Sequence, residues 1–172
     1  MHKLGANFIV DGLINSIRNT ISGDSFETEV HRLLTSDLKN VTKKKGWQFS
    51  WRTEFNDLAK ETYKLTIRDN PDIVQGLLSV SYEYDHVFMH LLESAPFNLS
   101  RNKLYEGVPG NLVAFACKLS FQRGYQGFVA FISKTRLIKH YEQTLGAIHI
   151  GNHRMVIPME SAKVLVEQYF KL

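Results

Sequence analysis

Between residues 93 and 147 the chain alternates a strand end, a glycine-bearing loop, a helix, a second strand and a second helix. Residues 127–132, Gly-Phe-Val-Ala-Phe-Ile, predict a buried strand. The apolar residues between 112 and 119 recur at helical spacing, and a second helix is expected around residues 139–142. A strand that follows another strand through a helix pairs parallel to it in the same sheet. This order predicts an α/β (α+β mixed) fold with a parallel crossover.

Strand patterns precede this unit and a hairpin pattern follows it. Residues 63–67, 73–84 and 87–92 are rich in β-forming residues and are separated by turn signals, which predicts antiparallel N-terminal strands. Residues 147–150 and 154–157 flank a turn and predict a C-terminal hairpin, and a final helix follows Pro158. We therefore expect a twisted mixed sheet. The 172 residues fit a single domain, residues 1–172.

The first third of the chain is less regular. Apolar and β-branched residues at 8–10 and 13–21 predict an early strand, and residues 26–30 predict a second one. Ser36 and Asp37 are suited to cap a short helix that runs through Val41.

Trp47, Phe49 and Trp51 recur at period two, which predicts an extended segment with all three rings on one side. These rings either pack against the core or form the wall of a pocket. The sequence leaves both alternatives open.

The loop before the first helix of the crossover contains Gly107, Pro109 and Gly110. Proline is accepted in a first helical turn, and glycine lets the backbone approach a ligand closely. The helix N-terminus would then present unpaired N–H groups where the helix dipole favours an anion. A phosphate group is the expected ligand.

Residues 73–155 resemble the GCN5-related N-acetyltransferase (GNAT) family. The resemblance rests on the order strand, glycine loop, helix, buried strand and helix, and on Tyr141-Glu142 followed by Gly146, which is similar to the family's Tyr-Glu-x-x-Gly-Phe segment. The loop departs from the family's Gln or Arg followed by x-x-Gly-x-Gly or Ala, since only Gly110 falls on a family glycine. Lys134 stands where many members have Asn, and Thr144 resembles an insertion before Gly146.

The resemblance implies an N-acetyltransferase that moves an acetyl group from acetyl-coenzyme A (acetyl-CoA) to an amine. Tyr141 matches the tyrosine that protonates the departing thiolate. Glu93 is the first candidate for the general base; His90, His140 or a water chain are the alternatives. The residues expected to contact the cofactor, mostly through main-chain groups, are Leu92, Glu93, Ser94, Gly107, Val108, Gly110, Asn111, Leu112 and Lys134.

The composition of the chain argues against nucleic acids, metal ions and membranes as partners. The formal net charge is +4, and the densest basic run is the three lysines 43–45, which argues against a nucleic-acid partner. The single cysteine, Cys117, lies among apolar residues, and the histidines show no His-Glu-x-x-His pairing, so no metal site is expected. No apolar run reaches the length of a membrane span and no signal peptide is visible, so we expect a cytoplasmic protein without a membrane partner.

Three hypotheses about function follow. The first is the acetyltransferase, whose acceptor would be a small-molecule or peptide amine and which, as is common in the family, could form a homodimer. The second is a catalytically inactive GNAT-shaped module that binds coenzyme A. The third is a protein or nucleic-acid interaction domain that uses the basic, aromatic first third.

Overall fold

The computed structural model describes residues 5–12, 16–99 and 101–170. Within these ranges the strands are β1 (Ile17–Asn19), β2 (Ser25–Phe26), β3 (Thr28–Arg32), β4 (Glu61–Ile67), β5 (Gly76–Tyr82), β6 (Val87–Ser94), β7 (Tyr105–Glu106), β8 (Val129–Ile132), β9 (Ile148–His149) and β10 (Arg154–Ile157). The α-helices are α1 (Trp51–Asn56), α2 (Val108–Gln122), α3 (Ile138–Leu145) and α4 (Met159–Tyr169). Short 3₁₀ helices lie at Thr35–Asn40, Lys43–Lys45, Pro96–Asn98 and Thr135–Leu137.

Seven of these strands form one mixed sheet in the order β3-β4-β5-β6-β8-β10-β9. Neighbours run antiparallel except β6 and β8, which are parallel and are connected through α2. Strands β2, β1 and β7 form a separate small sheet. The predicted fold is confirmed: a mixed sheet, antiparallel N-terminal strands, a β-α-β-α crossover, a C-terminal hairpin and a final helix.

The main core lies on the face of the sheet that α2, α3 and α4 cover. Helix α2 is buried over most of its surface because it contacts both the sheet and α4. Cys117 of α2 is completely buried, as expected, and this burial raises the pKa of its thiol. The helix is therefore held firmly with its N-terminus at the end of β6.

The opposite face of the sheet is covered by residues 33–56. The prediction of an extended segment from Trp47 to Trp51 is wrong, because the Ser50 side chain accepts a hydrogen bond from the Thr53 N–H and caps α1 at Trp51. Trp47 and Trp51 are nonetheless buried in one apolar cluster, and the half-buried Phe49 packs against it. The rings therefore help to fix this layer on the sheet.

The early strands also differ from the prediction. Only Ile17–Asn19 forms a strand in the first predicted stretch, and residues 13–15 of that stretch lie outside the described residues. The second predicted strand is split into β2 and β3, which belong to different sheets. The helix predicted from Ser36 is the 3₁₀ helix Thr35–Asn40. Residues 8–10, which the pattern predicted as strand, lie elsewhere, as described below.

Candidate active site

A cleft opens where β6 and β8 separate. Their parallel register ends with Phe88 opposite Ala130. Directly after this pair, β6 has a bulge at His90, where its register with β5 shifts by one residue. The C-terminal half of β6 therefore diverges from β8, and α2 begins at the same end of the sheet.

The glycine loop lies at this end, as predicted. Gly107 has a left-handed backbone (φ 98°) and precedes the first turn of α2, so it is a position where only glycine is free of strain. Its N–H donates a hydrogen bond to Oδ1 of Asp11 at 2.9 Å. Val108 and Leu112 point into the main core. The loop was predicted to bind an anion, and the Asp11 carboxylate of the same chain occupies that position.

Gly110 and Asn111 are tightly enclosed. A Cβ at Gly110 would collide with the hydroxyl of Tyr169 and lie 3.1 Å from the carbonyl oxygen of Gly12. The Asn111 side chain donates hydrogen bonds to the carbonyl oxygens of Ser16 (3.1 Å) and Gly107 (2.8 Å). There is thus no space for a side chain at position 110, and the Asn111 side chain stabilises the loop, so that these two residues offer a ligand mainly their main-chain groups.

The N-terminal segment, residues 5–12, lies in the cleft. Its Ala6 forms a parallel bridge with Ser133 at the end of β8, on the side opposite to β10. The Ala6 N–H donates to the Ile132 carbonyl at 2.6 Å, and the Lys134 N–H donates to the Ala6 carbonyl at 3.2 Å. Residues 5–12 thus take the place beside β8 that β6 leaves after the bulge.

Tyr141 closes the floor of the cleft. Its side chain is completely buried, and its hydroxyl donates a hydrogen bond to the Phe8 carbonyl at 2.7 Å. Burial raises the pKa of the Tyr141 phenol, so the hydroxyl keeps its proton throughout the physiological range. The neighbouring His140 accepts a hydrogen bond at Nε2 from the Val10 N–H at 2.9 Å. Both predicted α3 side chains therefore face residues 5–12.

The Glu93 carboxylate accepts hydrogen bonds from other groups of the protein. One carboxylate oxygen accepts a hydrogen bond from the Gln48 N–H (2.6 Å), and the other accepts from the Phe49 N–H (3.3 Å) and from Trp51 Nε1 (2.8 Å). Three donors on a buried carboxylate leave little capacity for taking a proton from a substrate. The role of Glu93 as general base stays a prediction, and the geometry favours a structural role.

A cavity of about 480 Å³ lies between residues 7–11 and the end of β6. Leu92, Glu93 and Ser94, which were predicted to border the cofactor, line one wall. Pro109 at the start of α2 contributes as well. The cavity thus connects the predicted strand residues with the start of α2 at Pro109.

No family model matches the chain, and no curated protein sequence matches it. Solved structures do match its fold. A chimera of the spermidine N-acetyltransferase SpeG from Vibrio cholerae with hSSAT superimposes with a TM-score of 0.56 at 14% identity, covering 79% of this chain and 98% of that one. The ribosomal-protein-S18-alanine N-acetyltransferase from Escherichia coli gives 0.53 at 14% identity, covering 77% of this chain and 94% of that one. A mutant of the toxin AtaT, bound to the C-terminus of the antitoxin AtaR and acetyl-CoA, gives 0.56 at 17% identity, covering 82% and 99%.

This chain has the GNAT fold. Strands β6 and β8 are its parallel pair, and the cleft between them is the one in which the sequence predicted the cofactor. The contacts along residues 5–12 show which residues lie at each end of the cleft. Lys134 contacts Ala6 at one end, Tyr141 contacts Phe8 in the middle, and Gly107 contacts Asp11 at the other end.

This order bears on Lys134, which was predicted to reach a coenzyme phosphate. Ala6 and Asp11 are five positions apart, which corresponds to about 16 Å of extended chain. The Lys134 N–H and the Gly107 N–H therefore contact opposite ends of residues 5–12, and a diphosphate bound at Gly107 would be far from the Lys134 main chain. The role of Lys134 stays a prediction, and the geometry disfavours contact with that diphosphate.

His90, one of the alternative bases, lies at the bulge of β6. Its Nε2 is 2.7 Å from the Ser81 hydroxyl oxygen, and that hydroxyl is 2.9 Å from a carboxylate oxygen of Glu83. Burial lowers the pKa of His90, so the imidazole is neutral at physiological pH. His90, Phe8 and Asn7 line a small pocket between the segment and β6. A neutral imidazole at this position has the properties of a base.

Sequence reasoning missed the segment at residues 5–12 and Asp11 in particular. The only local signal was the apolar run ending in Asp11-Gly12, which equally fits a strand followed by a turn.

Two further properties concern the described residues as a whole. None of their helices has both the length and the apolar character that crossing a membrane requires. Within the same ranges, no three His, Cys, Asp or Glu side chains are grouped so that they could hold a metal ion.

Proposed function

We propose that this protein is an N-acetyltransferase that transfers an acetyl group from acetyl-CoA to an amine. The observation that carries the proposal is the convergence of three features on one cleft. These are the separation of β6 from β8, the glycine loop at the N-terminus of α2, and the Tyr141 hydroxyl. The acetyl-CoA in the AtaT structure supports the choice of cofactor for this fold.

The groups that now hold residues 5–12 fit such a cofactor. They bind an extended chain with amide groups, and at Gly107 they bind an anion. Acetyl-CoA offers the same kinds of groups, because its pantetheine arm contains two amides and its other part carries a diphosphate. The main chain of Leu92, Glu93 and Ser94 lies beyond the point where β6 pairs with β8, and we assign it to the arm as well. We assign the main-chain groups from Gly107 to Leu112 to the diphosphate. When bound, acetyl-CoA supplies an activated thioester.

The chain's own side chains would handle the protons. Tyr141 keeps a proton on its hydroxyl, because burial raises the pKa of the phenol, and it can give that proton to a departing thiolate. His90 is our choice for the base that accepts the proton of the amine, since burial lowers the pKa of its imidazole. Glu93 is the weaker candidate because three donors already occupy its carboxylate.

Release of free coenzyme A thiol tests the proposal. The protein is incubated with acetyl-CoA and, separately, with polyamines, aminoglycosides, lysine-containing peptides and peptides with free N-termini. Background from the protein is low, because its single cysteine is buried. We expect amine-dependent thiol release that Tyr141→Phe lowers about 100-fold or more. Absence of release with every amine, both from the wild type and from Asp11→Asn, would refute the proposal.

A GNAT-shaped binding module without transfer chemistry is the second candidate. One observation favours it: residues 5–12 already pair with the groups that a cofactor would use. If the segment never leaves, neither acetyl-CoA binding nor transfer is expected. The absence of a nucleic-acid partner and the formation of a homodimer stay predictions.

A further inference from the structure

The contacts of residues 5–12 are those of a ligand in a binding site. Seven hydrogen bonds between described residues join this segment to parts of the chain about 90 to 160 positions away. Their partners are Ile132 and Lys134 at the end of β8, Tyr141 and His140 on α3, Lys103 and Gly107 before α2, and Tyr169 on α4. The hydrogen bonds thus come from the end of β8, from α3, from the start of α2 and from α4, whereas β6 borders the segment through a small pocket.

The apolar contacts follow the alternation of an extended peptide. Phe8 and Val10 are buried in the main core, whereas Ile9 between them is exposed. The Phe8 ring lies 4.8 Å from the Tyr141 ring and 6.2 Å from the Phe131 ring, measured between centroids. One face of the segment is therefore bound and the other borders the open cavity beside β6.

The charged end of the segment lies at the anion position. The Asp11 carboxylate accepts a hydrogen bond from the Gly107 N–H at the N-terminus of α2, and a second one from Lys103 Nζ at 2.8 Å. A helix N-terminus with a nearby ammonium group favours any anion, whether carboxylate or phosphate. Asp11 thus holds the position that the proposed function gives to a diphosphate.

We infer that residues 5–12 are an internal competitor of acetyl-CoA, which must leave the cleft before the cofactor can bind. The inference rests on the proposed function, because it concerns the same cleft. The two ligands exclude each other, since the Gly107 N–H and the Tyr141 hydroxyl cannot serve both at once. The protein is therefore inhibited by its own N-terminal segment.

Residues 5–12 are held in the cleft by reversible interactions. All its contacts are noncovalent, and Phe8 and Val10 are the segment's only buried side chains among the described residues. The apparent affinity for acetyl-CoA is then the intrinsic affinity multiplied by the fraction of molecules with an open cleft. Any change that weakens the segment raises this fraction.

A disulfide lock provides the most direct test. Ala6 and Ser133 are bridge partners, so the pair Ala6→Cys and Ser133→Cys is placed for a disulfide across the cleft. The buried Cys117 is sheltered from exchange. Acetyl-CoA binding is measured by calorimetry on the oxidised protein and on the same protein after reduction, which serves as the matched control. We expect the oxidised form to bind at least about tenfold more weakly.

A second variant releases the segment. Asp11→Asn removes a charged acceptor from Gly107 and Lys103, which should tighten acetyl-CoA binding about tenfold. Asp24→Asn is the matched control, because it makes the same charge change on the surface. Phe8→Ala weakens the segment without a charge change and should act in the same direction as Asp11→Asn.

The outcomes separate the two proposals. Equal binding by the oxidised and the reduced protein would overturn the internal competitor but leave the acetyltransferase in place. Absence of binding by every form, including Asp11→Asn and Phe8→Ala, would overturn the proposed function and the competitor with it. Weaker binding by the oxidised form together with tighter binding by both release variants would support the two proposals.

Discussion

Replacing Glu93 by Gln should destabilise the fold strongly. The carboxylate joins the end of β6 to Gln48, Phe49 and Trp51 through three hydrogen bonds of 2.6, 3.3 and 2.8 Å. Gln keeps the shape but turns one oxygen into an NH₂ group, so at least one buried N–H then faces another donor. A hydrogen bond to a charged group contributes about 1.5–3 kcal/mol, and an unpaired buried donor costs about 1–3 kcal/mol. We expect the free energy of unfolding to fall by about 3–5 kcal/mol.

Urea unfolding measures this loss. Both tryptophans of the chain, Trp47 and Trp51, lie in the layer that Glu93 holds, so their fluorescence reports on it. The midpoint should shift while the slope stays constant. Glu29→Gln is the control, since the partly exposed Glu29 pairs with surface groups and should change stability by about 1 kcal/mol or less. Stability of Glu93→Gln within about 1 kcal/mol of the wild type, together with a large loss of transfer rate, would refute the structural role and restore Glu93 as the base.

Three further predictions concern the cleft. Tyr141→Phe should tighten acetyl-CoA binding about fivefold, by removing one hydrogen bond to the segment, yet slow thiol release; unchanged release would make the tyrosine structural. In the closed cleft, burial lowers the pKa of His140 below its ordinary 6.5, so the neutral imidazole favours the closed form above pH 6.5. This stabilisation of the closed form is lost as the pH falls through the lowered pKa. Calorimetry should thus show tighter binding at pH 5.5 than at 7.5, and His140→Gln should reduce this difference. Gly110→Ala should lower stability to thermal unfolding by about 1–3 kcal/mol, since its methyl group meets the Tyr169 hydroxyl. Gly12→Ala, where a Cβ meets nothing within 4 Å, should not.

The crossover was predictable because its signals are local. The apolar run at residues 127–132, the helical spacing after Pro109 and the two loop glycines each specify a nearby element, and their order specifies the parallel pair. The helix that carries Tyr141 follows from the same order of elements. The role of Tyr141 was implied by the family resemblance and stays a prediction. The general architecture thus follows from patterns that span only a few residues.

The partners of individual side chains were not predictable, because they are distant in the sequence. Asp11 accepts a hydrogen bond from Gly107, 96 positions later, and Glu93 accepts from Trp51, 42 positions earlier. Two of the donors to Glu93 are main-chain N–H groups, which every residue except proline carries, so no residue type marks them. The apolar residues 8–10 likewise predict an extended segment but do not specify the cleft it enters.

Hydrogen exchange at single amides, measured with and without acetyl-CoA, tests most directly whether the cofactor replaces residues 5–12. The Ala6 and Val10 amides donate to Ile132 and His140 in the closed cleft, and the Gly107 amide donates to Asp11. We predict that acetyl-CoA speeds exchange at Ala6 and Val10 and leaves Gly107 protected, because a phosphate replaces the carboxylate there. Binding of acetyl-CoA with unchanged or slower exchange at Ala6 and Val10 would contradict the account.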